Sequence, residues 1–349
     1  MEEGRSKRMS SNSQAGQSSA SKTIIIGLSG PSSSGKTTLA RLLRPIFAAD
    51  SKIRTFIIHE DDFYLPDDRI PVVRTKKGEL VQDWDTIGAI DVDFLSSALA
   101  YVREHGTLPP RLRSKEDQNE AKDPGVAKEL IQSITEEVKE KLNQSSLLKD
   151  EGNGEVTIAF LEGFLLFAPP ATENPGHVLR RVHDNIHLHI FLPAPYDTVK
   201  SRREARSGYV TIGPAPTPAA ERENTNEGGA EHKGPSSAPA VDLEEEDKSE
   251  PQNFWTDPPG YVDDIVWPRY VQDHAWLLAA EDDEAGRRSL ADRYATGSTQ
   301  TEDELLRLAG QAVNVRGDAG VVVAPGNGEK PMSEVLRWAV DEILNYLKV

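Results

Sequence analysis

The stretch Thr23–Ala40, "TIIIGLSGPSSSGKTTLA", decides the fold. It opens on "TIIIGL", a continuous apolar run rich in β-branched residues, the composition of a strand buried on both faces of a parallel sheet. The pattern G-x-x-x-x-G-K-[ST] follows, met by Gly30, Gly35, Lys36 and Thr37. Glycines at those positions let the backbone wrap closely around a phosphate with its N–H groups pointing inward. Leu39, Leu42, Leu43, Ile46 and Phe47 then recur at helical spacing, which predicts a helix over Lys36–Phe47. The positive end of that helix faces the loop and favours an anion there. Lys36 is expected to reach the terminal phosphates of a nucleotide, and the Thr37 hydroxyl to hold a divalent cation.

The same logic extends outward. "IRTFII" (Ile53–Ile58), "VTIAFL" (Val156–Leu161), "IHLHIFL" (Ile186–Leu192) and "GVVVA" (Gly320–Ala324) read as further buried strands. Phe94, Leu95, Ala98, Leu99 and Val102 mark a helix, and Val335, Leu336, Ala339, Ile343 and Leu347 mark a final one. Strands alternating with helices predict an α/β protein, a parallel sheet covered by helices on both faces.

Three segments read as flexible insertions, around residues 106–153, which is polar and partly helical, 210–253 and 281–318. Within 221–250 there are ten acidic and three basic residues, so this one loop supplies much of the chain's formal net charge of -17. Its Pro, Gly, Glu and Asn content predicts disorder, as does the Ser- and Gln-rich lead-in 1–21. The remainder, 22–349, is expected to form one domain. That net charge argues against long nucleic acid and acidic membrane surfaces as partners. No apolar run approaches the ~20 residues of a membrane span. The chain holds no cysteine, which excludes disulfides and thiolate chemistry and fits a reducing compartment. A cytoplasmic setting is expected, with the nucleus as the alternative, and the sequence names no protein partner.

Candidate functional residues cluster after the predicted strands, where parallel sheets bind ligands. "HEDDFYLP" brings Asp61 and Asp62. A transfer of phosphate to a hydroxyl needs a carboxylate to take the proton, and Asp61 is the first choice. The alternative is a helix cap or a solvated pair. Glu162, in "LEGFLLF", stands where a second acidic residue would meet the metal and its waters. In "VQDWDTIGAID", Trp84 beside Asp85 suits a flat cationic ring joined to ribose hydroxyls, although Asp85 could cap a helix and Trp84 could be core. "PYDTVKSRREARSGY" carries Arg202, Arg203 and Arg206 at helical spacing, and lid arginines stabilise a transferring phosphate. His187 and His189 alternate on one strand and read as packed rather than metal-binding.

Taken in order, "IIIGLSGPSSSGKTTLA", "HEDDFY", "LVQDWD", "LEGFLLF", "PYDTVKSRREARS" and "PPGYVDDIVWPRY" resemble the nicotinamide riboside kinases of fungal type, within the P-loop nucleoside kinases. The resemblance covers roughly residues 22–280 together with the C-terminal strand and helix. It implies a three-layer P-loop NTPase/kinase fold with a lid segment and long inserted loops. It implies that Gly30, Pro31, Ser32, Ser33, Ser34, Gly35, Lys36, Thr37 and Thr38 hold ATP, with Arg202, Arg206 and, in the adenine loop Pro325–Met332, Lys330. Mg2+ would sit on Thr37, Asp61 and Glu162. Asp61 would be the catalytic base, acting with Lys36. The nucleoside would meet Asp61, Asp62, Phe63, Tyr64, Trp84, Asp85, Arg203 and Tyr209.

The activity implied is phosphorylation of nicotinamide riboside, and of nicotinic acid riboside as a second acceptor, at the ribose 5′-hydroxyl. A uridine/cytidine kinase is the rival enzyme, although "QDWD" stands where that family carries a "DHP"-like stretch. A nucleotide-binding scaffold without turnover is the rival of another class.

Overall fold

A computed structural model describes residues 22–110, 112, 114, 123–148, 155–206, 208–211, 213, 253–280, 288–297, 301–311 and 314–349. The first half of the chain forms β1 (Thr23–Ser29), α1 (Lys36–Phe47), β2 (Ile53–His59), the short pair β3 (Val72–Arg74) and β4 (Leu80–Gln82), α2 (Val92–His105) and α3 (Lys128–Gln144). The middle contributes β5 (Val156–Glu162), α4 (Arg180–His183), β6 (Leu188–Phe191), α5 (Tyr196–Glu204), β7 (Tyr209–Thr211) and β8 (Asn253–Trp255). A π-helical turn, Val262–Val266, leads into α6 (Trp267–His274) and β9 (Leu278–Ala279). The chain closes with α7 (Leu290–Ala295), α8 (Glu302–Gln311), β10 (Asn314–Val315), β11 (Val322–Val323) and α9 (Met332–Leu347).

Five strands pair in the order β11-β6-β1-β5-β2, every neighbour parallel. Alternation along β1 sends Ile24, Ile26 and Leu28 to one face, where α1, α3 and α9 cover them. Ile25 joins Ala159, Leu161 and Phe191 on the other face, under α2 and α6. The result is three layers. Leu39, Leu43, Ile46 and Phe47 of α1 are fully buried, each worth about 1.5–3 kcal/mol of gross burial. The register matters for function. His59 of β2 and Leu28 of β1 both align with Glu162 of β5, so three strands end together at one rim.

One expectation changes here. The segment 106–153 contains α3, which packs Ile134, Val138 and Leu142 into the core beside α1 and α9. Part of that segment is therefore structural rather than loose. The segment 281–318 contributes α7, α8 and β10, with Ala309 buried. Residues 1–21 and most of 210–253 lie outside the described residues. What is described of the latter pairs β7 with β8, placing Tyr209 opposite Trp255. Among the described residues no helix is long and apolar enough to cross a membrane.

Candidate active site

At the rim where β1 ends, Gly30 and Gly35 adopt φ of 148° and 100°. A side chain at Gly30 would place its Cβ 2.2 Å from the Leu192 carbonyl oxygen, so the loop can pass β6 only with glycine there. Lys36 folds back and donates to the Pro31 carbonyl at 2.9 Å. Burial pushes its ammonium down, against the pull of Glu162 and Asp61. An anion beside Lys36 would favour its charged form further.

Thr37, the first residue after the lysine, donates its hydroxyl to Glu162 Oε1 at 3.1 Å. His59 Nδ1 lies 2.7 Å from the same oxygen. Burial works to raise the Glu162 carboxyl, but the His59 hydrogen bond and charge, Lys36 and Thr37 outweigh it and hold it below the usual carboxylate range. Asp61 lines the same cavity as Lys36, Thr37 and Glu162. One hydroxyl and two carboxylates thus converge at the mouth of the phosphate loop.

That cavity runs from the phosphate loop to an aromatic end. Tyr64 meets Trp84 edge-on, with ring centroids 5.2 Å apart. Tyr64 also stacks on Phe164 at 6.3 Å and 27°, and Trp84 leans on Trp255 at 5.8 Å. Hairpin β7–β8 roofs this end with Tyr209, Val210, Thr211 and Trp255. Asp67 pins the roof, accepting from Thr211 Oγ1 at 2.6 Å and from the Gly213 N–H at 3.0 Å. The segment "QDWD" is fixed from beneath. Tyr261 OH accepts from the Trp84 N–H and donates to the Gln82 carbonyl, both at 2.9 Å. Arg269 donates to the buried Asp83 at 2.8 Å. Those contacts tie "PPGYVDDIVWPRY" to "QDWD" in space.

Arg203 links the two ends. Its guanidinium donates to both oxygens of Asp85, at 2.8 and 2.9 Å, to Asp257 at 2.7 Å and to Ser32 Oγ at 2.9 Å. Burial opposes its charge, yet Asp85, Tyr209 and Asp257 raise its pKa well above the ordinary value. The Arg203 and Arg206 guanidinium groups lie 5.3 and 5.1 Å from the Tyr209 ring centre. A second cavity opens across the phosphate loop, lined by Ser34, Thr38, Arg202, Pro325, Gly328 and Lys330 among others. Arg202 spans it, reaching the carbonyls of Ser33 and Gly328 at 3.4 Å each. Lys330 pairs with Glu334 at its edge, 2.8 Å apart. Arg206 lines both cavities. It lies beyond the end of α5, so the expected helix face shared with Arg202 is not formed.

The structure therefore gathers most of the expected residues around one phosphate loop, with Gly30 and Pro31 shaping the loop rather than lining a cavity. Two of the expected residues lie off the cavities. Asp62 and Phe63 line neither cavity, and Phe63 is core, 5.1 Å from the Phe94 ring. The cause is a 3-10 turn, Glu60–Phe63, in which residues three apart share a face. Asp61 and Tyr64 fall on the cavity side, Glu60 and Phe63 on the buried side. Sequence reasoning also missed Phe164, Trp255 and Asp257. His189 packs against His183 and Phe167, and no group of three or more His, Asp or Glu side chains able to hold a metal ion occurs among the described residues.

No family model matches the chain. Among curated proteins, the nicotinamide riboside kinase of Schizosaccharomyces pombe is 31% identical over 262 residues, spanning 75% of this chain and 83% of that protein. The nicotinamide riboside kinase of Saccharomyces cerevisiae is 27% identical over 75% of this chain and 81% of its own length. Nicotinamide riboside kinase 1 of Homo sapiens is 28% identical over 53% of this chain and 66% of its own length.

Proposed function

The chain belongs to the nicotinamide riboside kinase family, and from that premise we propose that it moves the γ-phosphoryl group of ATP to the ribose 5′-hydroxyl of nicotinamide riboside. The products are nicotinamide mononucleotide, ADP and a proton. The observation that supports this reading most is the single cavity that joins Lys36, Thr37 and Asp61 to Asp85 and an aromatic end.

Each part has a task. The aromatic faces of Trp84, Trp255, Phe164 and Tyr64 receive a flat pyridinium ring, which aromatic quadrupoles favour over a neutral base. Arg203 occupies one lone pair on each Asp85 oxygen and leaves others to accept from the ribose hydroxyls. Asp61 takes the proton of the attacking 5′-hydroxyl. Lys36 and Arg206 line the path of the transferring group and stabilise its charge. The second cavity receives the nucleoside of ATP between Arg202 and the loop Pro325–Met332. Thr37, Asp61 and Glu162 offer hard oxygen donors that suit Mg2+. When bound there, Mg2+ supplies neutralisation of the phosphate charge. The protein's work is positioning and electrostatics, since the transfer leaves it little covalent chemistry.

The test is ADP release by purified protein with Mg·ATP, with and without nicotinamide riboside. Acceptor-dependent release is expected. A chain that binds ATP but releases no ADP with this acceptor refutes the reading.

A further inference from the structure

Glu60 precedes the proposed base and has no part in the mechanism above. It is fully buried at the junction of β2 and the turn that presents Asp61 and Tyr64. It lines neither cavity, so it does not touch a substrate. Its Oε2 accepts from the Leu165 backbone N–H at 3.0 Å. Gly163 is pressed against the same group. A Cβ at Gly163 would lie 2.3 Å from Glu60 Oε2 and 2.5 Å from Glu60 Cβ. The turn after β5 is thus moulded around one side chain from the end of β2.

Both ends of this contact carry site residues. On the β5 side are Glu162 and Phe164, and on the Glu60 side are Asp61 and Tyr64. The rings of Tyr64 and Phe164 stack at 27° to one another. We propose that Glu60 is a positioning residue, which splices the ends of β2 and β5 and so holds Phe164 against Tyr64 beneath the acceptor's ring. The identity of that ring rests on the kinase reading above, but the splice does not. The contact needs an acceptor oxygen. Glutamine keeps that acceptor oxygen at nearly the same size, and it gives up no hydrogen bond at Oε1, which has no partner among the described residues.

The experiment compares the full-length chain with Glu60→Gln and Glu60→Ala, by initial rates over a grid of nicotinamide riboside and Mg·ATP concentrations. Active wild-type protein is the control that separates this inference from the functional reading. Glu60→Gln keeps kcat and both KM values within about twofold, because the Leu165 N–H keeps its acceptor. Glu60→Ala raises KM for the riboside about tenfold, with the KM for ATP unchanged. An alanine variant that loses thermal stability but keeps the wild-type KM for the riboside overturns the proposal, since Glu60 is then only structural. Should the alanine variant fail to fold, the glutamine variant decides. A glutamine variant with a riboside KM raised about tenfold also overturns it, because the charge rather than the acceptor oxygen then matters.

Discussion

Replacing Arg203 with methionine removes the centre of the site and leaves its surroundings in place. The guanidinium makes five hydrogen bonds, to Asp85, Asp257 and Ser32. The side chains of Arg203, Asp85 and Asp257 are 6%, 7% and 15% exposed, so the variant strands two carboxylates away from water. Breaking one side of a buried ion pair costs about 3–5 kcal/mol. The cost depends on pH, and its sign follows from Asp85. Burial already raises that carboxyl, against the pull of Arg203. Without Arg203 its pKa rises further above the unfolded value. A folded pKa that is raised gives stability present below the unfolded pKa and lost as pH rises through the folded one. The deficit of Arg203→Met is therefore larger at about pH 8 than at about pH 5. Asp85→Asn added to it recovers part of the loss. Urea denaturation of the three proteins at both pH values measures all of this. A loss below about 1 kcal/mol, or one equal at both pH values, refutes the claim that a buried charge pair holds the two ends together.

Further outcomes follow from other residues. Asp61→Asn lowers kcat by about 10²–10⁴ and leaves ATP binding intact, as measured by rates and calorimetry; unchanged turnover removes Asp61 as the base. Trp255→Leu raises KM for the riboside by roughly 3- to 30-fold through loss of one cation-binding face, and a KM unmoved from wild type excludes Trp255 from the ring site. Asp273, half-buried near Asp83, has its carboxyl pushed up to about 6 by desolvation. Wild-type stability relative to Asp273→Asn should then fall as pH rises from about 4 through 6, and a pH-independent difference in urea midpoint contradicts that assignment.

Much of the fold is written locally. The apolar run before Gly30, the spacing Gly30–Gly35–Lys36–Thr37 and the helical apolar stripe to Phe47 lie within one short segment, so β1, the phosphate loop and α1 are legible there. The face of α3 is fainter. Its buried positions Ile134, Val138 and Leu142 recur every four residues, a narrow stripe inside a polar stretch. The 3-10 turn that parts Tyr64 from Phe63 has no such signal, because "EDDFY" fits a helix cap equally well. Phe164 stood inside "LEGFLLF", but only its glutamate suggested chemistry. Trp255 and Asp257 reach the site through the antiparallel pairing of β7 with β8 across the acidic segment. Strand pairing over that sequence distance leaves no periodic trace in either strand. The site's aromatic end was therefore only half visible, as Trp84 and Tyr64.

Under the proposed function, this cavity selects a flat, cationic nucleoside for 5′-phosphorylation. The most direct test is kcat/KM for nicotinamide riboside against uridine, with purified protein, saturating Mg·ATP and the products identified by mass. The expected product is nicotinamide mononucleotide, with a preference over uridine on the order of a hundredfold. Uridine phosphorylated as well as or better than the riboside contradicts it.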